Sequence, residues 1–258
     1  MKKIISFTLC FLLGAALCLA QKLPNKQENS AWAPANIKID GKTDDWNNQF
    51  NAYNPGAAIF YSIANDSQNL YLLIQSKQQD VINTIISYGF TLALQNSEAK
   101  NDKSKVIISY PIFDINNKQP LRFTIGVADT NAAARTALMN SRNALLAGRF
   151  KSIGIYGING LDTLSVYNEK GVKAASGFNE NGAFTVEIAF PLSYLKNSID
   201  TDKPFYYNLI INGYISNRAP PADASPGFLA GWQASGVEQA KKYSHNDFWG
   251  KYKLAKKI

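Results

Sequence analysis

The chain has 258 residues, a formal net charge of +8 and a hydrophobic fraction of 46%. Both cysteines, Cys10 and Cys18, lie within the first twenty residues, so the rest of the chain offers no disulfide, no cysteine nucleophile and no cysteine metal ligand. The basic residues are scattered except for a run near the end, which favours a solvated basic surface over a nucleic-acid-binding patch.

The first twenty residues are typical of a secretory signal peptide. Lys2 and Lys3 precede an apolar run, and Ala20 follows in a small-residue cleavage pattern. We therefore expect cleavage after Ala20, secretion across the inner membrane, and a periplasmic or extracellular destination. No later apolar run is long enough to predict a transmembrane segment in the mature chain.

Residues 21–36 are polar, contain two prolines and are predicted to form an N-terminal arm. The first predicted strand follows, because Ile37 and Ile39 alternate with polar residues. A turn at Asp40 and Gly41 comes next. Since no internal repeat or linker interrupts residues 37–258, we expect them to form one domain.

The next patterns predict a hairpin and a short helix. Residues 57–63 and 70–75 are rich in β-formers and are separated by turn-forming residues. Residues 80–88 have the spacing of an amphipathic helix, with Asp80 as the expected cap and Gly89 as the expected end. Further strands are predicted at residues 90–94, 106–112 and 121–127.

Residues 129–148 are the one long helix candidate. Thr130 is the expected cap, an alanine-rich stretch fills the helix, and Gly148 is the expected end. The predicted apolar face comprises Leu138, Leu145 and Leu146, with Arg135 and Arg142 outside. We expect this helix to lie against one side of a sheet rather than to bind a partner.

The second half of the sequence is dominated by short alternating segments separated by turns. Residues 163–167 and 172–178 flank a turn that ends in Gly171, and residues 172–178 and 183–190 flank one that ends in Gly182, so each pair predicts a hairpin. Further predicted elements are strands at 150–158, 205–214 and 247–254, a helical turn at 191–195, and a long loop at 217–236. Many short strands with regular turns predict an all-β fold: a two-sheet antiparallel β-sandwich with one longer helix and a short helix inserted.

Three segments in this order resemble the family 9 carbohydrate-binding modules and the domains related to them. They are Ile39-Asp40-Gly41 through Trp46, then Val186 through Leu195, and finally Asp247 through Leu254. The resemblance implies a single β-sandwich domain over residues 37–258, with relatives that bind sugars and some that bind calcium. Two long inserts, at 113–150 and 217–236, depart from the compact module.

Loop aromatic residues are the best candidates for a ligand-binding site, because sugar recognition uses flat rings surrounded by polar groups. Trp232 lies in the long loop with Phe228, Gln233 and Arg218 close in sequence, and these four form the predicted site. Trp46 and Trp249 are expected to pack in the core, with the indole N–H bonded to backbone. Trp32 is expected to cap the sandwich.

The sequence offers little for metal binding or catalysis. Asp40, Asp44, Asp45 and Asp66 could supply oxygen ligands to calcium, but their spacing differs from that of a calcium-binding loop, so no cofactor is predicted. Asp40 is better explained as a turn residue that accepts a hydrogen bond from its own backbone. His245 is the single histidine, and haem ligation by His245 and Met139 is disfavoured because Met139 is expected in the core. No catalytic residues are assigned, and carboxylate pairs such as Glu180 with Glu187 show no distinctive spacing.

These observations lead to one leading expectation and two alternatives. The leading expectation is a secreted, non-catalytic domain that binds carbohydrate, with no nucleic-acid partner. The first alternative is a structural or adaptor protein of the bacterial envelope that binds another protein. The second is a glycoside hydrolase, which would need two carboxylates facing one cleft.

Overall fold

The computed structural model describes residues 22–99, 102–113, 123, 131–213 and 245–257. These residues form two antiparallel sheets, which confirms the predicted β-sandwich. The five-stranded sheet has the order β1-β2-β3-β9-β8, and the six-stranded sheet has the order β11-β10-β4-β5-β6-β7. The strands are β1 Ala52–Asn54, β2 Ile59–Asn65, β3 Asn69–Ser76, β4 Phe90–Gln95, β5 Val106–Tyr110, β6 Ser152–Tyr156, β7 Thr163–Ser165, β8 Lys173–Phe178, β9 Phe184–Pro191, β10 Phe205–Ile211 and β11 Asn246–Tyr252. The helices are α1 Gln79–Tyr88, α2 Ala132–Arg149 and α3 Leu192–Leu195, and a 3₁₀ turn spans Asp44–Trp46.

The interior between the sheets is filled by apolar side chains from both layers. Each strand contributes alternate residues, as the two-residue period of a β-strand requires. Polar contacts also join the two sheets: the hydroxyl groups of Tyr61 and Tyr207 lie 2.9 Å apart and connect β2 to β10, and Tyr252 Oη of β11 donates to Asn65 Oδ1 of β2 at 2.9 Å. The backbone N–H of Gln27 donates to Tyr61 Oη at 2.8 Å, so the N-terminal residues also contact this pair.

The predicted hairpin between β2 and β3 is confirmed, and its turn depends on one carboxylate. Asp66 Oδ1 accepts hydrogen bonds from the backbone N–H groups of Gln68 and Asn69, both at 2.7 Å. Asp66 Oδ2 accepts from Tyr71 Oη at 2.7 Å. This Asx-type turn sets the register in which Asn65 lies opposite Leu70.

The hairpin predicted between residues 163–167 and 172–178 is wrong. β7 pairs with β6 in the six-stranded sheet, whereas β8 pairs with β9 in the five-stranded sheet. The connection between them therefore passes from one layer to the other. Asn168 Nδ2 donates to the carbonyl oxygens of Ser165 and Val172, both at 2.7 Å, and these bonds take the place of a hairpin ladder. The next predicted hairpin, β8 with β9, is confirmed.

The strand predicted at Ile37 and Ile39 does not form. Both side chains are half-buried against the outer face of the five-stranded sheet, together with Trp46 and Phe50. The backbone N–H of Lys38 donates to Asp45 Oδ2 at 2.8 Å. Side chains therefore satisfy polar backbone groups that a neighbouring strand would otherwise pair, and the segment stays irregular.

The long helix is confirmed, but its ends and its buried face differ from the prediction. Asn131, not Thr130, is the cap, because its Oδ1 accepts from the N–H of Ala134 at 2.9 Å. Gly148 lies inside the helix, which ends at Arg149. Leu145 is 45% exposed. The buried residues of this helix are Met139, Arg142 and Leu146.

Arg142 was expected at the surface and is instead buried against aromatic rings. Its guanidinium carbon lies 5.3 Å from the ring centroid of Phe123 and 5.7 Å from that of Phe178. Such stacking allows a planar cation to be covered by apolar neighbours. α2 packs beside β8, as expected for a helix that lies against one side of the sandwich.

The short helix is also confirmed with a different start. It begins at Gln79 after Gln78, and Asp80 is not its cap. Gly89 ends it as predicted, with φ of +83°. The remaining predicted strands within the described residues, β4, β5, β6, β10 and β11, are present with ends shifted by a few residues. The predicted strand at 121–127, the loop at 217–236 and the signal peptide lie outside the described residues, apart from Phe123.

Residues 22–35 pack on the sandwich. Gln27 is buried and exchanges two hydrogen bonds with Ile63: Nε2 donates to the carbonyl at 2.8 Å, and Oε1 accepts from the N–H at 2.7 Å. Trp32 forms an isolated parallel bridge with Asn65 at the end of β2. Across the described ranges, no helix combines the length and the apolar character needed to cross a membrane.

Candidate functional site

A polar cleft of about 400 Å³ lies where three parts of the fold meet. One wall is the segment that contains the 3₁₀ turn, the second is α2, and the third is the turn between β8 and β9 with the start of β9. The lining residues are Gly41, Lys42, Thr43, Asp44 and Asn48 from the first wall, Thr136, Met139, Asn140 and Asn143 from the second, and Phe178, Asn179, Glu180, Asn181 and Thr185 from the third.

The cleft is lined mainly by neutral groups that can both donate and accept hydrogen bonds. Five side-chain amides and three threonine hydroxyls belong to its lining, and the two acidic residues are Asp44 and Glu180. Met139 and Phe178 also belong to the lining, but they are only 2% and 5% exposed. The arrangement can hold a neutral ligand that presents several hydroxyl or amide groups.

Asn143 fixes α2 to the edge of the five-stranded sheet. Its Oδ1 accepts from the backbone N–H of Phe178 at 2.7 Å, and its Nδ2 donates to the carbonyl of Phe178 at 2.9 Å. The side-chain amide thus pairs with β8 as a neighbouring strand would. This pairing satisfies part of an exposed strand edge and sets the distance between two walls of the cleft.

The turn between β8 and β9 is held by Asn179. Its Oδ1 accepts from the N–H groups of Asn181 and Ala183, both at 3.0 Å. Gly182 has φ of +75°, which suits a tight hairpin. The side-chain oxygen of Asn179 is therefore occupied within the turn. The exposed side chains of Glu180 and Asn181 line the cleft.

The first wall is attached to β9 through Glu187, which is completely buried on the outer face of that strand. Glu187 Oε2 accepts from the backbone N–H groups of Asp40 at 3.0 Å and Gly41 at 2.7 Å. Glu187 Oε1 accepts from Trp46 Nε1 at 2.8 Å. Burial raises the pKa of Glu187 above the usual value for a glutamate, while these three hydrogen bonds act in the opposite direction.

The four residues predicted from sequence as the ligand site lie outside the described residues. Trp232, Phe228, Gln233 and Arg218 all belong to the connection between β10 and β11. They therefore stay a prediction.

The other tryptophans are described. Trp46 is buried, as predicted, but its indole N–H reaches a carboxylate and not a backbone group. Trp249 is only half-buried and is not part of the core, so its predicted core position is wrong. Trp32 is also half-buried.

The candidate calcium ligands mostly serve the chain's own backbone. Asp40 Oδ1 accepts from the N–H of Lys42 at 3.0 Å, which confirms its predicted role as a turn residue. Asp45 and Asp66 also accept backbone hydrogen bonds. In the part of the chain that the structure describes, no three His, Cys, Asp or Glu residues come together as a metal site. Met139 is 2% exposed, in line with its predicted core position.

Sequence reasoning missed the residues that line this cleft. The asparagines of 179–182 were identified only as turn formers, and Asn140 and Asn143 were not singled out on the helix. A signal was present in the density of asparagine in both segments. What was missing is the spatial relation of the two segments, which are brought together by the packing of α2 on β8.

Glu180 and Glu187, considered above as a carboxylate pair, have different surroundings. Glu180 is exposed at the turn, whereas both carboxylate oxygens of Glu187 accept hydrogen bonds inside the protein.

None of the protein-family models matches this chain, and no curated protein sequence matches it either.

Proposed function

We propose that this chain is a secreted, non-catalytic binding domain for carbohydrate, and that the cleft between the 3₁₀ turn, α2 and the β8–β9 turn receives the sugar. The observation that carries the proposal is the lining of side-chain amides and threonine hydroxyls, among which the amides of Asn140 and Asn181 are exposed. Sugar hydroxyls both donate and accept hydrogen bonds, as side-chain amides do, and the C–H faces of a sugar ring pack on apolar atoms.

The charges at the cleft favour neutral or amino sugars over acidic ones. Asp44 and Glu180 are exposed carboxylates that belong to two different walls. Lys42 is the one basic residue of the lining. Its Nζ lies 3.7 Å from Asp40 Oδ2, which partly neutralises the positive charge. A uronic acid or sulfated sugar would therefore meet repulsion from both carboxylates.

The sequence resemblance to family 9 carbohydrate-binding modules supports the same class of ligand. Under this proposal Trp232, with Phe228, Gln233 and Arg218, remains the predicted aromatic contact. The change Trp232→Ala should then weaken glycan binding and leave the melting temperature almost unchanged. Isothermal titration and thermal unfolding of the same preparations measure the two effects separately.

The cleft itself is tested with two asparagines from opposite walls. Asn140 and Asn181 are both exposed, so the double change Asn140→Ala with Asn181→Ala should not disturb the core. Loss of two hydrogen-bonding amides should weaken binding about thirtyfold, because each net hydrogen bond contributes about 1 kcal/mol and about 1.4 kcal/mol corresponds to tenfold. The probe is an array of neutral, amino and acidic oligosaccharides, followed by titration.

The control is Asn159→Ala, since Asn159 is exposed between β6 and β7, away from the residues that line the cleft. This variant should bind like the wild type. If the double variant binds as well as the wild type, the cleft is not the site. If neither protein binds any glycan, the carbohydrate proposal is refuted, and the envelope adaptor becomes the hypothesis to test.

A further inference from the structure

Glu187 is a charged residue placed where it contributes nothing to the core between the sheets. Its neighbours β3 and β8 present Leu73 and Ala175 opposite it in register, and its side chain is 0% exposed. A buried carboxylate usually requires a cation or several hydrogen-bond donors. No ion pair within the described residues includes Glu187, and its donors are three N–H groups.

All three donors come from one short segment. Two are the consecutive backbone N–H groups of Asp40 and Gly41, and the third is the indole of Trp46. The residues between and just after these donors form the first wall of the cleft. Both ends of that wall are therefore attached to a single carboxylate.

The same strand also contributes to the opposite wall. Thr185, two residues before Glu187 and on the same face of β9, lines the cleft, and β9 begins directly after the turn that carries Glu180 and Asn181. Glu187 thus connects the wall that contains the 3₁₀ turn to the strand that carries the facing wall.

The first wall of the cleft lies in close contact with the backbone of β8. Gly41 has φ of +82°, and a Cβ at this position would lie 2.5 Å from the carbonyl carbon of Ser176 and 2.7 Å from the nitrogen of Gly177. The wall therefore rests directly on the backbone of β8. Only a residue without a side chain permits that approach while its N–H donates to Glu187.

We propose that Glu187 is a positioning residue of the cleft: it does not touch the ligand, and it holds the segment of residues 40–48 in the place that the ligand requires. This inference rests on the proposed function. It predicts that ligand affinity depends on a carboxylate that the ligand never contacts.

The test compares Glu187→Gln with Trp46→Phe, which removes the same hydrogen bond from its other end. Glutamine has only one side-chain oxygen, so it cannot replace both carboxylate oxygens of Glu187 as acceptors. Its amide NH₂ group would therefore face one of the N–H donors. Each variant should bind the glycans of the array about tenfold more weakly than the wild type, and the losses should not add in the double variant. Trp46→Phe keeps an aromatic ring in place, so it remains informative if Glu187→Gln does not fold.

The control separates positioning from loss of stability. Ile108→Val alters the core between the sheets, in β5 of the sheet opposite to β9. It should lower the melting temperature and leave affinity unchanged when binding is measured well below that temperature. Amide hydrogen exchange at residues 40–48 should rise in both test variants and not in the control.

The outcomes can be told apart. If the wild type binds and both variants bind equally well, the positioning role is wrong and the proposed function stands. If Ile108→Val loses affinity as much as the two test variants do, the loss follows stability alone, the role of Glu187 is merely structural and the inference is overturned. If the wild type binds no glycan, the proposed function fails, and the inference that rests on it fails as well, whatever hydrogen exchange shows.

Discussion

The two faces of the five-stranded sheet are both buried, but by different kinds of interaction. The inner face of β9 presents Val186, Ile188 and Phe190 to a core shared with the other sheet. The outer face of the same strand presents Thr185, Glu187 and Ala189 to an irregular segment of the chain. One face is thus covered by apolar packing between regular layers, and the other by hydrogen bonds to a carboxylate as well as by a smaller apolar cluster around Trp46.

The comparison shows which part of the molecule supports the fold and which part is available for function. Apolar packing is not directional, so the inner face tolerates changes of detail as long as volume is conserved. The outer face depends on a few directional contacts. Trp46 packs against Tyr71 with ring centroids 6.5 Å apart at 81°, and its N–H bonds to Glu187. The cleft is built on this second, less redundant face.

The largest effect is expected from a cavity on the inner face. Phe190 is fully buried between the sheets, so Phe190→Ala should lower the free energy of unfolding by about 3–5 kcal/mol. Urea unfolding measures this loss. A decrease below about 1 kcal/mol would mean that the inner face is not the stabilising core that the comparison requires.

A smaller effect is expected from the outer face, at Glu187. Replacing this carboxylate by glutamine should cost about 1–3 kcal/mol, because at least one buried N–H donor loses its acceptor. The cost should depend on pH. Since burial raises the pKa of Glu187, the folded state holds its proton more tightly than the unfolded chain, so this group's contribution to stability is present at low pH and is lost as pH rises through the folded pKa.

The difference in unfolding free energy between wild type and Glu187→Gln isolates this contribution from the other titrating groups. It should grow as pH is lowered from neutral. A difference that is constant across the pH range would show that the pKa of Glu187 is the same in the folded and unfolded states.

The helix that forms one wall of the cleft supplies the next prediction. Asn131→Ala removes the cap of α2 and should destabilise the protein by about 1 kcal/mol. Thermal unfolding measures the change, and Asn131→Asp serves as the control because aspartate also caps. Equal melting temperatures for the alanine variant and the wild type would place the start of the helix elsewhere.

The smallest effect is expected at Asp66, which lies at a turn and is partly exposed. Burial raises the pKa of Asp66, but the hydrogen bonds from Tyr71, Gln68 and Asn69 outweigh this and leave the pKa below its usual value. Its contribution to stability is therefore present above the unfolded pKa and is lost as pH falls. Asp66→Asn should change stability by less than about 1 kcal/mol at neutral pH and reduce the acid-dependent loss. If urea unfolding shows that Asp66→Asn and the wild type lose the same unfolding free energy as pH falls, the lowered pKa of Asp66 is contradicted.

Sequence patterns predicted elements best where the periodicity was regular and one face met the core. The hairpin of β2 and β3, the helix α1 that ends at Gly89, and the closing strand β11 were all recognised in this way. Patterns failed at Ile37 and Ile39, where alternating residues pack on a sheet without joining it. They failed again between β7 and β8, because a turn ending in glycine suits a crossover between layers as well as a hairpin.

The candidate site could be predicted only in part for the same reason. Asn179–Gly182 was recognised as a turn from local chemistry, since its hydrogen bonds lie within a few residues. The proximity of Asn140 and Asn143 to that turn depends on how α2 packs on β8. Arg142 illustrates the difficulty, because sequence placed it outside, whereas stacking on Phe123 and Phe178 buries it.

The sequence by itself determined the β-sandwich class, most of the strands, the two larger helices and the burial of Trp46, because these follow from local periodicity and from the hydrophobic character of single residues. Only the tertiary structure decided which strands share a sheet, which face of α2 is buried, and that Glu187 lies within hydrogen-bonding distance of Asp40, Gly41 and Trp46. The physical reason is that a carboxylate separated by more than 140 residues from its donors carries no mark of them in its own neighbourhood of the chain.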